Sequence, residues 1–164
     1  MALNEILLAE FNQEAASTRL LLERVPAKDA AWKPHPKSTS LGALAVHVAN
    51  LAAWLGVTLT TTELDLAVSP PPAPFTTVEA LLATFDNNVE SSRAALAKAV
   101  DADFAEPWSL RSGDRVYFTF PRAVIVRSFA LSHLIHHRAQ LGVYLRLRDV
   151  PLPPCYGPTA DTGM

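Results

Sequence analysis

Four proline-free or proline-initiated stretches with apolar residues at helical spacing make up most of this 164-residue chain, and its 13 prolines fall between them or at their ends. The first, residues 3–24, carries Leu3, Ile6, Leu7, Phe11, Ala15, Thr18, Leu21 and Leu22 at steps of three and four, which is one face of a helix. Pro26 stops it, because proline has no N–H for the helical ladder. The second, 40–62, follows the Pro34–Pro36 turn, with Ser38, Thr39 or Ser40 placed to cap it. The third, 77–100, has Thr76 and Glu79 at capping-box spacing and a stripe of Val78, Leu82, Phe85, Val89 and Leu96. The fourth, 121–148, starts at Pro121, where a missing N–H costs nothing. The expected fold class is all-α: a four-helix bundle forming a single domain over residues 1–164.

The links between these helices differ. ELDLAVSPPPAPF, between the second and third, holds four prolines and is long enough to cross the end of a bundle. The second and third helices therefore need not be antiparallel neighbours. WSLRSGDRVYFTF, between the third and fourth, has a turn at Ser112-Gly113-Asp114 and β-formers from Val116 to Phe120, so a small hairpin or lid is expected before the last helix. The tail DVPLPPCYGPTADTGM has too many prolines for helix and is expected to lie across the surface.

Composition narrows the function classes. Hydrophobic residues are 49% and charged residues 18%, the net charge is −2, and no basic run exceeds two residues. No nucleic-acid footprint or polybasic membrane patch is visible. Cys155 is the single cysteine, which excludes an intrachain disulfide and fits a reducing, cytoplasmic setting. MALNEILLAEFNQE meets acidic residues too early for a signal peptide. From Ser38 to Thr62 there is no charged residue, a length that could span a bilayer. His47 and Asn50 would sit at membrane depth, however, so a buried bundle helix is the expected state and no membrane partner. Apolar residues around most of that helix, including Leu44, Trp54 and Val57, lead us to expect a homodimer.

Three of the five histidines lie in LSHLIHHRAQ, residues 131–140. At about 100° per residue, with His133 at zero, His137 falls near 40°, Phe129 near −40°, Val126 near 20°, Gln140 near −20° and Tyr144 near 20°. His133 and His137 thus occupy the apolar stripe one turn apart, the spacing at which two imidazoles on one face bind a single ion. His136 falls near −60°, at the stripe edge, and Arg138 near 140°, on the far side. A third ligand must come from elsewhere. His35 lies in a Pro-flanked turn and looks like loop surface. His47 lies inside the charge-free second helix, where a buried imidazole needs a partner. The simplest account has His47, His133 and His137 around one divalent ion. His136, Gln140 and Tyr144 are candidates to support the ligands or touch a substrate. The zinc-peptidase motif H-E-x-x-H does not fit, since Leu134 stands where its glutamate would be.

WKPHPKSTSLGALAVHVANL and LSHLIHHRAQLGVYLRLRDVPLPPCYGP resemble the DinB-like proteins, also called the damage-inducible or thiol S-transferase superfamily. The second stretch is similar to that family's H-x-x-H-H-R-x-Q-x-x-x-Y-L-R motif and the Y-G-P that follows. The resemblance implies an up-down-down-up four-helix bundle, often dimeric. It also implies a three-histidine site, mapping onto His47, His133 and His137, that holds nickel or zinc. One departure is visible: many relatives follow Y-G-P with S-A-D-E, and this chain reads Thr159-Ala160-Asp161-Thr162.

Three neutral imidazoles leave an ion's charge intact and a coordination position open. Such a position accepts water or a thiol, and the resemblance implies a low-molecular-weight thiol; the expectation is a metal-dependent transferase that activates it for attack on a small electrophile. The alternatives are a metal-dependent hydrolase of a small substrate and a non-catalytic metal-binding stress protein. Arg111, Arg115 and Arg122, near the lid, are candidates to meet a substrate carboxylate. Cys155, between prolines and Tyr156, reads as a packing residue.

Overall fold

In the computed structural model, which describes residues 2–163, the first periodic stretch is helix α1, Leu3–Leu22. The Glu5 carboxylate accepts from the Ala2 N–H at 3.0 Å and closes its first turn. The third stretch is α4, Val78–Lys98. Its cap is Thr77 rather than Thr76: the Thr77 hydroxyl accepts from the Ala80 N–H at 3.2 Å. Among the three candidate caps of the second stretch, Ser40 serves, accepting from Ala43 N–H at 3.4 Å.

The second stretch is not one helix. It divides into α2, Leu41–Leu51, and α3, Trp54–Thr60. The cause is a side chain from α4. In a continuous helix the Gly56 N–H would bond the Ala52 carbonyl, four residues back. Instead the Ser92 hydroxyl stands between them, accepting from Gly56 N–H at 3.0 Å and donating to the Ala52 carbonyl at 2.6 Å. Asn88 donates to the Ala49 carbonyl at 3.0 Å, so a second freed acceptor is satisfied. Insertion into the ladder is a recognised cause of helix kinks. It needs close approach: a Cβ on Gly56 would lie 3.1 Å from the Ser92 hydroxyl and 3.2 Å from its Cα. The α2–α3 pair is long and apolar enough to cross a membrane, with a mean hydropathy of 1.5 over its best window, and 61% of that window is buried inside the fold.

The all-α expectation is corrected. Residues 63–121 contribute a three-stranded sheet in the order β1-β2-β3, formed by Glu63–Asp65, Pro107–Ser112 and Arg115–Pro121. Strands β2 and β3 are the hairpin, turning at Gly113, whose φ of 56° suits glycine. The unexpected strand is β1, which pairs parallel to β2. Short as it is, it is held by charge: the Arg111 guanidinium reaches Glu63 and Asp65, each at 2.7 Å, and Asp65 also accepts from the Gly113 N–H at 3.0 Å.

The last stretch is also irregular. It begins as α5, Arg122–Val124, widens into a π-helical segment, Ile125–Leu131, and continues as α6, Ser132–Arg146. The widened turn lets Phe129 stack on Phe118 of β3, with ring centroids 4.4 Å apart, while His133 still faces α2. Short π segments of this kind often occur beside functional sites. Asp149, with φ at 57°, ends the helix, and Val150 N–H returns to the Leu145 carbonyl at 3.0 Å.

Contacts fix the helix directions. Asn4, Asn12 and Arg19 of α1 meet Leu96, Arg93 and Asp86 of α4, so these two run antiparallel. Ala49 and Ala52 meet Asn88 and Ser92 in the same order, so α2–α3 runs parallel to α4, and the proline-rich link crosses between them. His47 and Trp54 meet His137 and His133, so α6 runs antiparallel to α2–α3. The core between these helices includes Phe11, Leu22, Leu41, Leu55, Phe85, Leu96 and Leu141. Leu44 lies in this core, and Trp54 packs on Trp108 with ring centroids 6.2 Å apart, so two of the residues that suggested a partner surface are used within the chain.

Candidate metal centre

α2 buries Leu41, Leu44, Ala45 and Val48 against the core. His47, on its α6 side, is half-buried between α2 and α6. There the ring centroids of His47 and His137 are 4.4 Å apart, those of His47 and His133 are 5.2 Å apart, and those of His133 and His137 are 4.7 Å apart. One ring nitrogen from each of the three lies within 4.8 Å of the others. Tetrahedral ligands at about 2.0–2.1 Å from an ion stand about 3.4 Å apart, so ring rotations of modest size bring the three onto one ion. Trp54 closes one side, its ring edge-on to His133 at 6.3 Å.

A hydrogen bond beside the cluster leaves the His137 lone pair facing inward. His137 Nδ1 lies 2.7 Å from Gln140 Oε1, so this nitrogen carries the proton and donates it. His137 therefore turns an unprotonated Nε2 inward, 2.9 Å from His133 Nε2. Two neutral imidazoles this close can share one proton between their Nε2 atoms, or both turn lone pairs to one ion. His133 lies one turn after Phe129, whose backbone opposes the lowering of the His133 pKa by burial.

A proton is a poor cation for this place. Burial pushes the His47 pKa from 6.5 down to about 4, with the nearby His137 and His133 adding to the shift. His133 is also lowered, first by burial and then by His137, against the opposing pull of the Phe129 carbonyl. Both rings are neutral near pH 7, the state that binds metal. The donor set fits a divalent ion.

The other expected residues sort clearly. Gln140 bridges His137 to His136, its amide nitrogen 3.0 Å from His136 Nε2. His136 is exposed and does not join the cluster. Tyr144 lines the cleft above the cluster together with Lys37, Thr39, His47 and Gln140. His35 is exposed in its turn, where its Nδ1 accepts from the Lys37 N–H at 3.2 Å. The three arginines are elsewhere: Arg111 pairs within the sheet, Arg115 lies over the Tyr117 ring, and Arg122 donates to the Thr61 carbonyl at 2.8 Å. None of them lines a cleft at the histidines. Cys155 is half-buried and packs against the core.

Two features escaped the sequence reading. Lys37 is the cation of the site. Arg138, on the far side of α6 from the histidines, is 2% exposed and pairs with buried Glu14 of α1 at 2.6 Å. The Tyr156 hydroxyl completes this group: Arg138 donates to it at 2.6 Å, and it donates to Glu14 at 2.8 Å. The tail is thereby fastened to the back of the helix that carries the histidines. Asp161, in the stretch after Y-G-P, has a role in the same fastening, pairing with Arg146 and accepting from the Leu152 N–H at 2.8 Å. Adjacency of Arg to the His-His pair and Tyr before Gly-Pro were the available signals, but neither names a partner on α1.

Residues 10–141 match the DinB superfamily. The chain belongs to that family. Solved DinB-like proteins share its fold. One from Bacillus cereus superimposes with a TM-score of 0.72 at 19% identity, covering 93% of this chain and 97% of its own. Another, from Bacillus subtilis, has a TM-score of 0.68 at 17% identity, covering 96% and 99%. No curated protein matches the chain. Membership in the DinB superfamily and the three-histidine cluster together suggest metal binding.

Proposed function

We propose that this DinB-superfamily protein is a metal-dependent transferase in which His47, His133 and His137 hold one divalent ion and a small thiol attacks a small electrophile there. The observation that carries the reading is the inward-facing Nε2 pair of His133 and His137, 2.9 Å apart, with His47 closing the triangle. When bound, an ion held by three neutral imidazoles lowers the proton affinity of a thiol or water at its open position.

The chain supplies the rest. Gln140 holds the His137 ring proton away from the centre. Trp54 packs edge-on against His133, and Leu44 lines the polar cleft beside His47. In the transfer, the thiol S–H proton leaves through the polar cleft to solvent. The sulfur forms a bond to carbon, and the leaving group departs with its electron pair and takes up a proton. No oxidant or reductant is needed. Thiol is favoured over water because, once an ion lowers the proton affinity of either, thiolate is the stronger nucleophile. Among the described residues no Asp or Glu lines either cleft beside the cluster to assist a water as general base.

Cobalt-substituted protein tests the reading. Adding small thiols is expected to produce a sulfur-to-metal charge-transfer band that His137→Ala removes. Hydrolysis of simple esters without any thiol-dependent band would favour the hydrolase. Neither response would favour a metal-binding protein without catalysis.

A further inference from the structure

Two clefts of similar size share His47, and they differ in chemistry. One, of about 550 Å³, is lined by Lys37, Ser38, Thr39, Gln140 and Tyr144, with His47 and His137 on its floor. The other, of about 570 Å³, is lined by Ala43, Val46, Pro72, Pro74 and Phe75, and its only polar side chains are Ser40 and His47. Neighbouring residues of α2 divide them: Ala43 lines the apolar cleft and Leu44 the polar one. His47, one turn on, lines both.

Among the described residues, Lys37 is the one formally charged side chain at either cleft. None of the ion pairs among the described residues takes it. With no carboxylate at either cleft, the polar side is electropositive and rich in hydroxyl and amide partners, and so suits an anion. The apolar side is walled by the proline-rich crossover. Its lack of charge leaves nothing to pair with an ionic ligand, and burying an unpaired charge is costly.

We infer that the clefts hold the two substrates of the proposed transfer separately: a carboxylate-bearing small thiol on the Lys37 side, and an uncharged, apolar electrophile on the crossover side. This rests on the thiol-transfer reading. It assigns a face of His47 to each reactant, so sulfur and carbon approach each other across His47 from adjoining faces of α2. The bond made is sulfur to carbon and the bond broken is carbon to leaving group, as above.

Cobalt-loaded protein is titrated with mercaptosuccinate, with 2-mercaptoethanol, and with the neutral naphthalene dye prodan. Lys37→Glu is expected to weaken mercaptosuccinate about tenfold or more, the size of one charge-assisted contact, and to change 2-mercaptoethanol less than about twofold. Prodan binding should persist in that variant. Ala43 is exposed on α2, so Ala43→Trp fills the apolar cleft without disturbing the core. It should abolish prodan fluorescence enhancement and leave the mercaptosuccinate band. Mutually exclusive binding of dye and thiol in the wild type would overturn the assignment. So would a Lys37→Glu effect equal for both thiols, or an Ala43→Trp loss of the thiol with the dye retained. A wild-type cobalt spectrum that no thiol perturbs overturns the thiol reading itself, and is seen before any variant enters.

Discussion

Gln140 Oε1 lies 2.7 Å from His137 Nδ1, and its amide nitrogen lies 3.0 Å from His136 Nε2. One side chain thus decides which nitrogen of His137 carries the proton and which is left for an ion. Partners of this kind tune metal sites strongly. Gln140→Ala is expected to lower metal affinity by about 10–100-fold without removing binding. His136→Ala, which loses only the far end of the bridge, should cost less. Calorimetric titration with zinc or cobalt orders the two. An affinity unchanged in Gln140→Ala would show that His137 is oriented by packing alone.

The Ser92 hydroxyl replaces a helical hydrogen bond between Gly56 and Ala52. Ser92→Ala leaves a buried N–H and carbonyl without that partner and is expected to cost about 1–3 kcal/mol in urea unfolding. Because α3 then swings on a different kink, the fluorescence of Trp54 beside His133 should shift as well. Unchanged stability would mean that α2 and α3 straighten into one helix at no cost.

Arg138 and Glu14 form a buried ion pair whose remaining valences go to Thr18, Tyr156 and the Glu14 carbonyl. Removing one partner leaves the other charged and unpaired. Arg138→Ala is expected to destabilise the protein by about 3–5 kcal/mol. Tyr156→Phe, which loses one hydroxyl, should cost about 1–2 kcal/mol and increase proteolysis of the tail. Equal effects of the two substitutions would contradict this account of the group.

The pH dependence has a definite sign. His47 takes up a proton near 6.5 when unfolded and only at about 4 when folded. Between those values the unfolded chain binds more protons, so the metal-free protein loses stability as pH falls from about 6.5 to 4. His133 acts in the same direction. Carboxylates stay largely ionised above about pH 5, so the upper part of the window reports imidazoles. The urea midpoint of metal-free protein is expected to drop more between pH 7 and 5 in the wild type than in His47→Gln. Identical drops would show that His47 is solvated in the folded state.

Much of the helical frame and the grouping of His47, His133 and His137 was legible because both depend on periodicity, which a single chain displays. What was not legible depends on partners distant in sequence. Strand β1 is three residues long and exists through pairing with β2 and through Arg111, so no local pattern announces it. The kink at Ala52 comes from Ser92, 40 residues on. The wheel placed Arg138 correctly on the far side of α6, but a lone arginine there reads as solvated until Glu14 is seen opposite. The same limit misdirected the search for a substrate cation to Arg111, Arg115 and Arg122. All three face the sheet region, while Lys37 reaches the cleft from the turn before α2.

The central claim is one ion on three imidazoles, and metal stoichiometry tests it most directly. Tag-free wild-type protein, stripped and titrated with cobalt, is expected to bind one ion per chain. His47→Ala, His133→Ala and His137→Ala should each abolish stoichiometric binding, while His136→Ala retains it. A His47→Ala protein that binds cobalt as tightly as the wild type would contradict the account, because the third ligand would then lie outside α2.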